Sequence, residues 1–216
     1  MSKERDLQRI VDCGVVAIVR FDRPEELVEV ARAIRAGGVD VIEFTMTTPD
    51  ALSILSASAE EFGDEVLLGA GTVLDPETAR AAILAGAKYI ISPTLNPRMI
   101  ELCRRYGVIA VPGAFTPTEI LTAWELGADL VKVFPAGAMG PGYIKDIMSP
   151  LPQVRLLPTG GVSLSNAAQF IEAGAAAVAA GSSLVDKRAV AEKDFARLTE
   201  VASAFATAIR QARGLT

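Results

Sequence analysis

A chain of 216 residues, half of them hydrophobic, can bury a substantial core in one domain or two, and no charge-rich tract in it would stay unfolded. Its formal charge of −5, without any Lys/Arg-rich cluster, argues against nucleic acid or an anionic membrane as partner, while local fields still allow an anionic substrate. The absence of histidine excludes His-based acid/base catalysis, Ser-His triads and the usual His-liganded zinc or iron sites; a carboxylate-held magnesium is not excluded.

The N-terminal stretch lacks an apolar signal core and predicts a short amphipathic helix with Leu7, Ile10 and Val11 on one face. The longest apolar runs are strand-sized, so no membrane helix is expected. Cys13 and Cys103 have no metal-ligand spacing and read as free thiols, which points to a cytoplasmic protein.

From there a rhythm repeats every 20–26 residues or so: a helical pattern ends in glycine and a short apolar strand follows. The glycines are Gly37-Gly38, Gly63, Gly86, Gly107, Gly127 and Gly174. The predicted strands are 15–20, 39–45, 66–71, 88–92, 108–112, 129–134, 154–158 and 176–180. Between them, Arg23–Ala36 carries Leu27, Val30, Ala31 and Ile34 at helical spacing. Asp75 caps a helix over Pro76–Ala85, Thr116-Pro117 with Glu119 opens another reaching Leu126, and a further helix is expected to start near Ser163. After Lys187, the residues Val190, Phe195, Leu198, Val201, Phe205 and Ile209 predict one outer C-terminal helix.

Strands that are apolar on both faces belong in a parallel sheet. Eight strand–helix units predict an α/β fold, a (β/α)8 TIM barrel with an N-terminal helix and a C-terminal outer helix, as one domain over 1–216. A doubly wound open sheet is the runner-up, but no GxGxxG follows the first strand.

Lys132 interrupts the sixth apolar run, DLVKVFPA. Burying an unpaired ammonium is costly, and losing the proton lowers that cost; a neutral, fixed amine is what Schiff-base chemistry on a ketone requires. Taken alone, such a lysine more often snorkels to solvent or forms a structural ion pair. Period-2 alternation, however, gives Arg20, Glu43 and Lys132 inward positions near the C-terminal ends of strands one, two and six, where barrels place their sites. Thr159-Gly160-Gly161 and Gly181-Ser182-Ser183 close the last two strands, where barrels often bind phosphate on bare backbone N–H groups. Gly69-Ala70-Gly71-Thr72 and Ile91-Ser92-Pro93 predict close backbone approach, with Thr72 a donor to a carboxylate.

The segments VVAIVR, GGVDVIEFTMTTPD, GAGTVLDP, YIISP, VPGAFTPTE, VKVFPAGAMGP, PTGGVS and GSSLV, in this order, resemble the 2-keto-3-deoxy-6-phosphogluconate (KDPG) aldolases, including the bifunctional 4-hydroxy-2-oxoglutarate aldolases. The resemblance implies that Lys132 is the Schiff-base lysine and Glu43 the general acid/base. Arg20, Thr72, Pro93 and Thr159 would line the pyruvate end, with Phe134 beside the imine, and Gly160, Gly161, Gly181 and Ser182 would hold the phosphate. It implies a homotrimer that uses no metal or other cofactor and cleaves a phosphorylated 2-keto-3-deoxy acid to pyruvate and glyceraldehyde 3-phosphate. The galactonate epimer and 4-hydroxy-2-oxoglutarate stay open as substrates. Some members carry a carboxylate-binding arginine just after strand two, where this chain has Thr47; Arg20 is the substitute from strand one. Two rival readings are a phosphate-binding isomerase or synthase, with Lys132 and Glu43 as plain acid and base, and an idle barrel kept for its assembly.

Overall fold

Ladder partners trim every apolar run to the residues that can pair on both sides, so the strands are shorter than their sequence signals. In the computed structural model, which describes residues 2–20 and 26–215, they are β1 (Val15–Val19), β2 (Val41–Thr45), β3 (Leu67–Gly71), β4 (Tyr89–Ile91), β5 (Ile109–Val111), β6 (Gly113–Ala114), β7 (Val131–Val133), β8 (Leu156–Pro158) and β9 (Val178–Ala180). All pair in parallel, in a six-stranded sheet ordered β5-β4-β3-β2-β1-β9 and a three-stranded sheet ordered β6-β7-β8. The fold is therefore α/β around a curled parallel sheet.

The two-residue β6 was not expected. Proline has no N–H to donate, so Pro112 interrupts the ladder that β5 makes with β4. Beyond it the same run changes partner: the Lys132 N–H donates to Pro112 O (2.9 Å), and Gly113 lies opposite Lys132. At the other margin of the small sheet, Thr159 forms a parallel bridge with Ala179.

Side-chain alternation sorts the core into two layers. Val15, Ala17, Val19, Ile42 and Phe44 pack outward against the helices, whereas Val16, Val41, Leu67, Tyr89, Leu130 and Leu157 pack together on the inner face. The helices are α1 (Lys3–Cys13), α2 (Leu27–Ala36), α3 (Ala51–Phe62), α4 (Pro76–Leu84), α5 (Pro97–Arg105), α6 (Pro117–Glu125), α7 (Gly140–Met148), α8 (Ala167–Glu172), α9 (Lys187–Ala191) and α10 (Phe195–Ala212). Of the glycines expected to end helices, Gly38, Gly63, Gly86, Gly107, Gly127 and Gly174 all adopt the left-handed conformation, which favours a residue without Cβ. Asp75 accepts from the Thr78 N–H, and Thr116 and Glu119 form a reciprocal capping box.

Helix α1 closes the N-terminal end of the sheet. Its Ile10 joins the inner layer, with Leu7 packed against it and Val11 half-buried, while Arg9 donates to Asp40 Oδ2 (2.8 Å) and Lys3 pairs with Asp129 (2.9 Å). Three helix predictions need correction or restriction. The start of the helix predicted from Arg23 falls on residues outside the described ones, and α2 is described from Leu27. The helix expected near Ser163 begins at Ala167, because Asn166 first holds a turn: its Oδ1 accepts from the Ser163 N–H (2.8 Å) and its Nδ2 donates to Gly161 O (2.9 Å). The single C-terminal helix is two, because Lys193 turns left-handed (φ 56°) and Asp194 accepts from the Arg197 N–H to start α10 afresh. Val190 therefore belongs to α9, and Leu198, Phe205 and Ile209 form the buried stripe of α10. No helix among the described residues is long and apolar enough to cross a membrane.

Candidate active site

The C-terminal ends of the parallel strands surround a cavity of about 680 Å³, and every site residue predicted above lines it. Arg20 follows β1, Glu43 lies on β2, Thr72 follows β3 and Pro93 follows β4. Lys132 lies on β7 with Phe134 just beyond it, Thr159, Gly160 and Gly161 follow β8, and Gly181 and Ser182 follow β9.

Lys132 is only 5% exposed, and it makes no ion pair or side-chain hydrogen bond with any described residue. Its Nζ stands 5.0 Å from the centre of the Phe134 ring. Burial pushes its pKa below the ordinary 10.5; Glu43 opposes that and the Arg20 guanidinium adds to it. Glu43 is 1% exposed, with Oε2 unpartnered. Burial raises its pKa above 4.5, with Lys132 and then Arg20 pulling the other way. Desolvation thus moves both groups toward the neutral pair, a free amine beside a protonated carboxyl. Those are the forms that attack on a ketone and departure of water require.

Gly69 and Gly71 correct one expectation: they make room for side chains rather than for backbone. A methyl at Gly71 would collide with the Glu43 carboxyl, and one at Gly69 with the Tyr89 ring. Gly71→Ala is expected to cost about 1–3 kcal/mol through overpacking, read from urea unfolding. Pro93 does meet backbone closely, its carbonyl lying against Gly113 Cα. Thr72 is a β-branched residue at φ 57°, a strained conformation of the kind that concentrates at functional sites.

Arg20 sits at the rim, and its Nε donates to Thr45 Oγ1 (3.4 Å), which the Thr47 and Thr48 hydroxyls also contact (3.3 and 3.2 Å). The threonine cluster of β2 thereby steers a guanidinium from β1 toward the cavity. At the opposite wall the glycine turns are tied together. Gly137 N–H donates to Gly160 O (2.7 Å), Ser183 Oγ donates to Val162 O (2.7 Å), and Phe134 packs against Gly160. The N–H groups of Gly161, Val162, Ser182 and Ser183 donate to no acceptor among the described residues, leaving a set of donors for an anion. Ser183, from the Gly181-Ser182-Ser183 turn, lines the cavity as well, as do Lys187 and Ser163, which were not singled out as site residues from sequence. Lys187 follows the Asp186 cap of α9, in a polar stretch that carries no signal of facing a mouth. Among the described residues, Glu43 is the one carboxylate on the lining, and no three His, Cys, Asp or Glu side chains gather as a metal-ligand set.

The family sequence model described as "Aldolase: KDPG and KHG aldolase" matches residues 7–201. The chain belongs to the KDPG and KHG aldolase family. It is 38% identical to the 2-dehydro-3-deoxy-phosphogluconate aldolase of Treponema pallidum, over 86% of this chain and 88% of the other. It is 36% identical to the 2-dehydro-3-deoxy-6-phosphogalactonate aldolase of Escherichia coli, over 92% of this chain and 95% of the other. The solved structure of the Legionella pneumophila KDPG aldolase, with pyruvate captured as a covalent carbinolamine, superposes at a TM-score of 0.85. The match has 29% identity and covers 93% of this chain and 97% of that one.

Proposed function

We propose that this protein is a class I aldolase that cleaves 2-keto-3-deoxy-6-phosphogluconate reversibly to pyruvate and glyceraldehyde 3-phosphate. In this reading residues 1–216 form one domain, the two sheets close into a (β/α)8 barrel, and the working form is a cytoplasmic homotrimer. The observation that carries it is a buried, unpaired lysine whose pKa burial lowers, sharing one cavity with a buried carboxyl.

Lys132 Nζ attacks C2 of the keto acid, and a proton delivered from Glu43 turns the ketone oxygen into the hydroxyl of a carbinolamine. Glu43 takes a proton back from the newly bonded Nζ and gives it to the hydroxyl, which leaves as water and yields an iminium. The iminium accepts the electron pair of the C3–C4 bond as the C4 hydroxyl surrenders its proton to Glu43, directly or through a water. Glyceraldehyde 3-phosphate departs, C3 of the enamine is protonated, and hydrolysis returns pyruvate and the free amine. Arg20 takes the substrate carboxylate, while the Gly160-Gly161 and Gly181-Ser182 turns hold the phosphate through the free N–H groups of Gly161 and Ser182, with Phe134 walling the imine from solvent.

Turnover tests this directly. The keto-deoxy phosphate should release pyruvate and glyceraldehyde 3-phosphate in equal amounts, at a rate unchanged by a metal chelator, because the iminium is the electron sink. No pyruvate from this acid, its galactonate epimer or 4-hydroxy-2-oxoglutarate would rule the reading out. An isomerase or synthase would turn over without a covalent pyruvate adduct, and an idle barrel would do neither.

Lys187 bears on the choice of substrate. It adds a cation to the cavity lining a few residues beyond the Gly181-Ser182 turn, available to a phosphate that 4-hydroxy-2-oxoglutarate lacks. Because it is exposed, solvent screens the contact. Lys187→Ala is expected to raise KM for the phosphorylated acid about three- to tenfold, fading as salt is added, with KM for the unphosphorylated acid unchanged. Steady-state kinetics on both substrates checks it.

A further inference from the structure

Tyr89 is wholly buried on the inner face of the sheet, and its Oη has no hydrogen-bond partner among the described residues. Glu43 Oε2 is in the same condition. Buried polar atoms are rarely left unpaired, and two of them on β2 and β4, the strands that flank β3, invite one explanation. The register puts Glu43 opposite Gly69, and Gly69 opposite Tyr89. Gly69 and Gly71 both face inward, two residues apart on β3. The far edge of the Tyr89 ring occupies the space over Gly69, and the Glu43 carboxyl the space over Gly71. Those two seats are roughly 7 Å apart along the strand, and β3 puts no side chain between them. The hydroxyl and the carboxyl make no direct hydrogen bond to each other, and one water between the two seats would give both a partner.

We propose that Tyr89 is a positioning residue for Glu43, its hydroxyl reaching the free Oε2 through one water held between the ring seated over Gly69 and the carboxyl seated over Gly71. The phenol donates to the water, and the water donates to the carboxylate, which fixes the carboxyl over Gly71 and favours its ionised form whenever it gives up its proton. Tyr89 stays protonated throughout: burial, with Glu43 and then Cys13 and Asp40 facing it, holds its pKa well above 10. Among the described residues, the charged groups facing Glu43 itself are Lys132 and Arg20. The inference rests on the aldolase reading of Glu43.

Tyr89→Phe tests it, since the ring keeps its place over Gly69 and only the hydroxyl is removed. Expected are a fall in kcat of about tenfold, an unchanged KM, and a shift of the Glu43 limb of the pH–rate profile to higher pH. In the Glu43→Gln background the same substitution should change kcat little, and the effects of the two substitutions on Tm should not add. Wild-type kcat and pH profile in Tyr89→Phe, with a raised Tm that adds to that of Glu43→Gln, would overturn the proposal and leave the hydroxyl an isolated buried group. Absence of pyruvate release by the unaltered protein would count against the aldolase reading instead. The Tm cycle would then still report whether Tyr89 and Glu43 are coupled.

Discussion

Lys132→Ala is expected to lower kcat by about 10⁴-fold or more, because no neighbouring amine can take over the bond to C2. Among the described residues, Arg20 and Lys187 are the other cations on the cavity wall, and both are exposed, so neither has the burial that frees an amine of its proton. Lys132→Arg should be equally inactive, since a guanidinium stays protonated and is a poor nucleophile. The nonpolar Lys132→Met tells a second part of the story. With its folded-state pKa depressed, Lys132 contributes full stability only above its ordinary value of 10.5, and that contribution is lost as pH falls through the folded-state value. Lys132→Met should therefore be at least as stable as the parent at neutral pH, its advantage shrinking toward pH 10.5. Thermal melts across that range check the sign, and turnover by Lys132→Ala checks the chemistry.

Glu43→Gln is expected to fold normally and to lose about 10²–10⁴-fold in kcat, with KM changed far less. The amide is isosteric over Gly71 but neither donates a proton to the carbinolamine oxygen nor accepts one from the C4 hydroxyl. The stability sign follows from burial, which raises the folded-state pKa above 4.5. A group raised in this way contributes fully below its unfolded value, and the contribution is lost as pH rises through the folded one. The variant should match the parent near pH 4.5 and be the more stable of the two as pH rises above it. Melting temperature against pH, set beside kcat and KM for the same variant, checks both halves.

Strand positions were readable because strands buried on both faces are written as unbroken apolar runs, each introduced by a glycine that ends the helix before it. The cluster of Arg20, Glu43 and Lys132 was readable for a related reason. A charge inside such a run is conspicuous, and alternation says which way it points. Tyr89 gave no such signal: in YIIS an aromatic ring is ordinary core, and only the register shows its ring seated on β3 two residues from the seat of the acid. Gly69 and Gly71 were noticed, but sequence cannot say whether a missing Cβ admits backbone or a side chain from the next strand. The change of partner at Pro112 and the turn held by Asn166 depend on hydrogen bonds made across the fold or against local periodicity. Lys187 was hidden among charged neighbours, where only the path of the chain over the mouth distinguishes it.

The most direct measurement is to trap the protein with pyruvate and borohydride, digest it, and locate the modification by mass spectrometry. A single reduced pyruvyl group on the peptide bearing Lys132, gained faster as pH rises toward the amine's depressed pKa and absent from Lys132→Ala, is the predicted result. A modification elsewhere, or equal labelling of Lys132→Ala, would contradict the account.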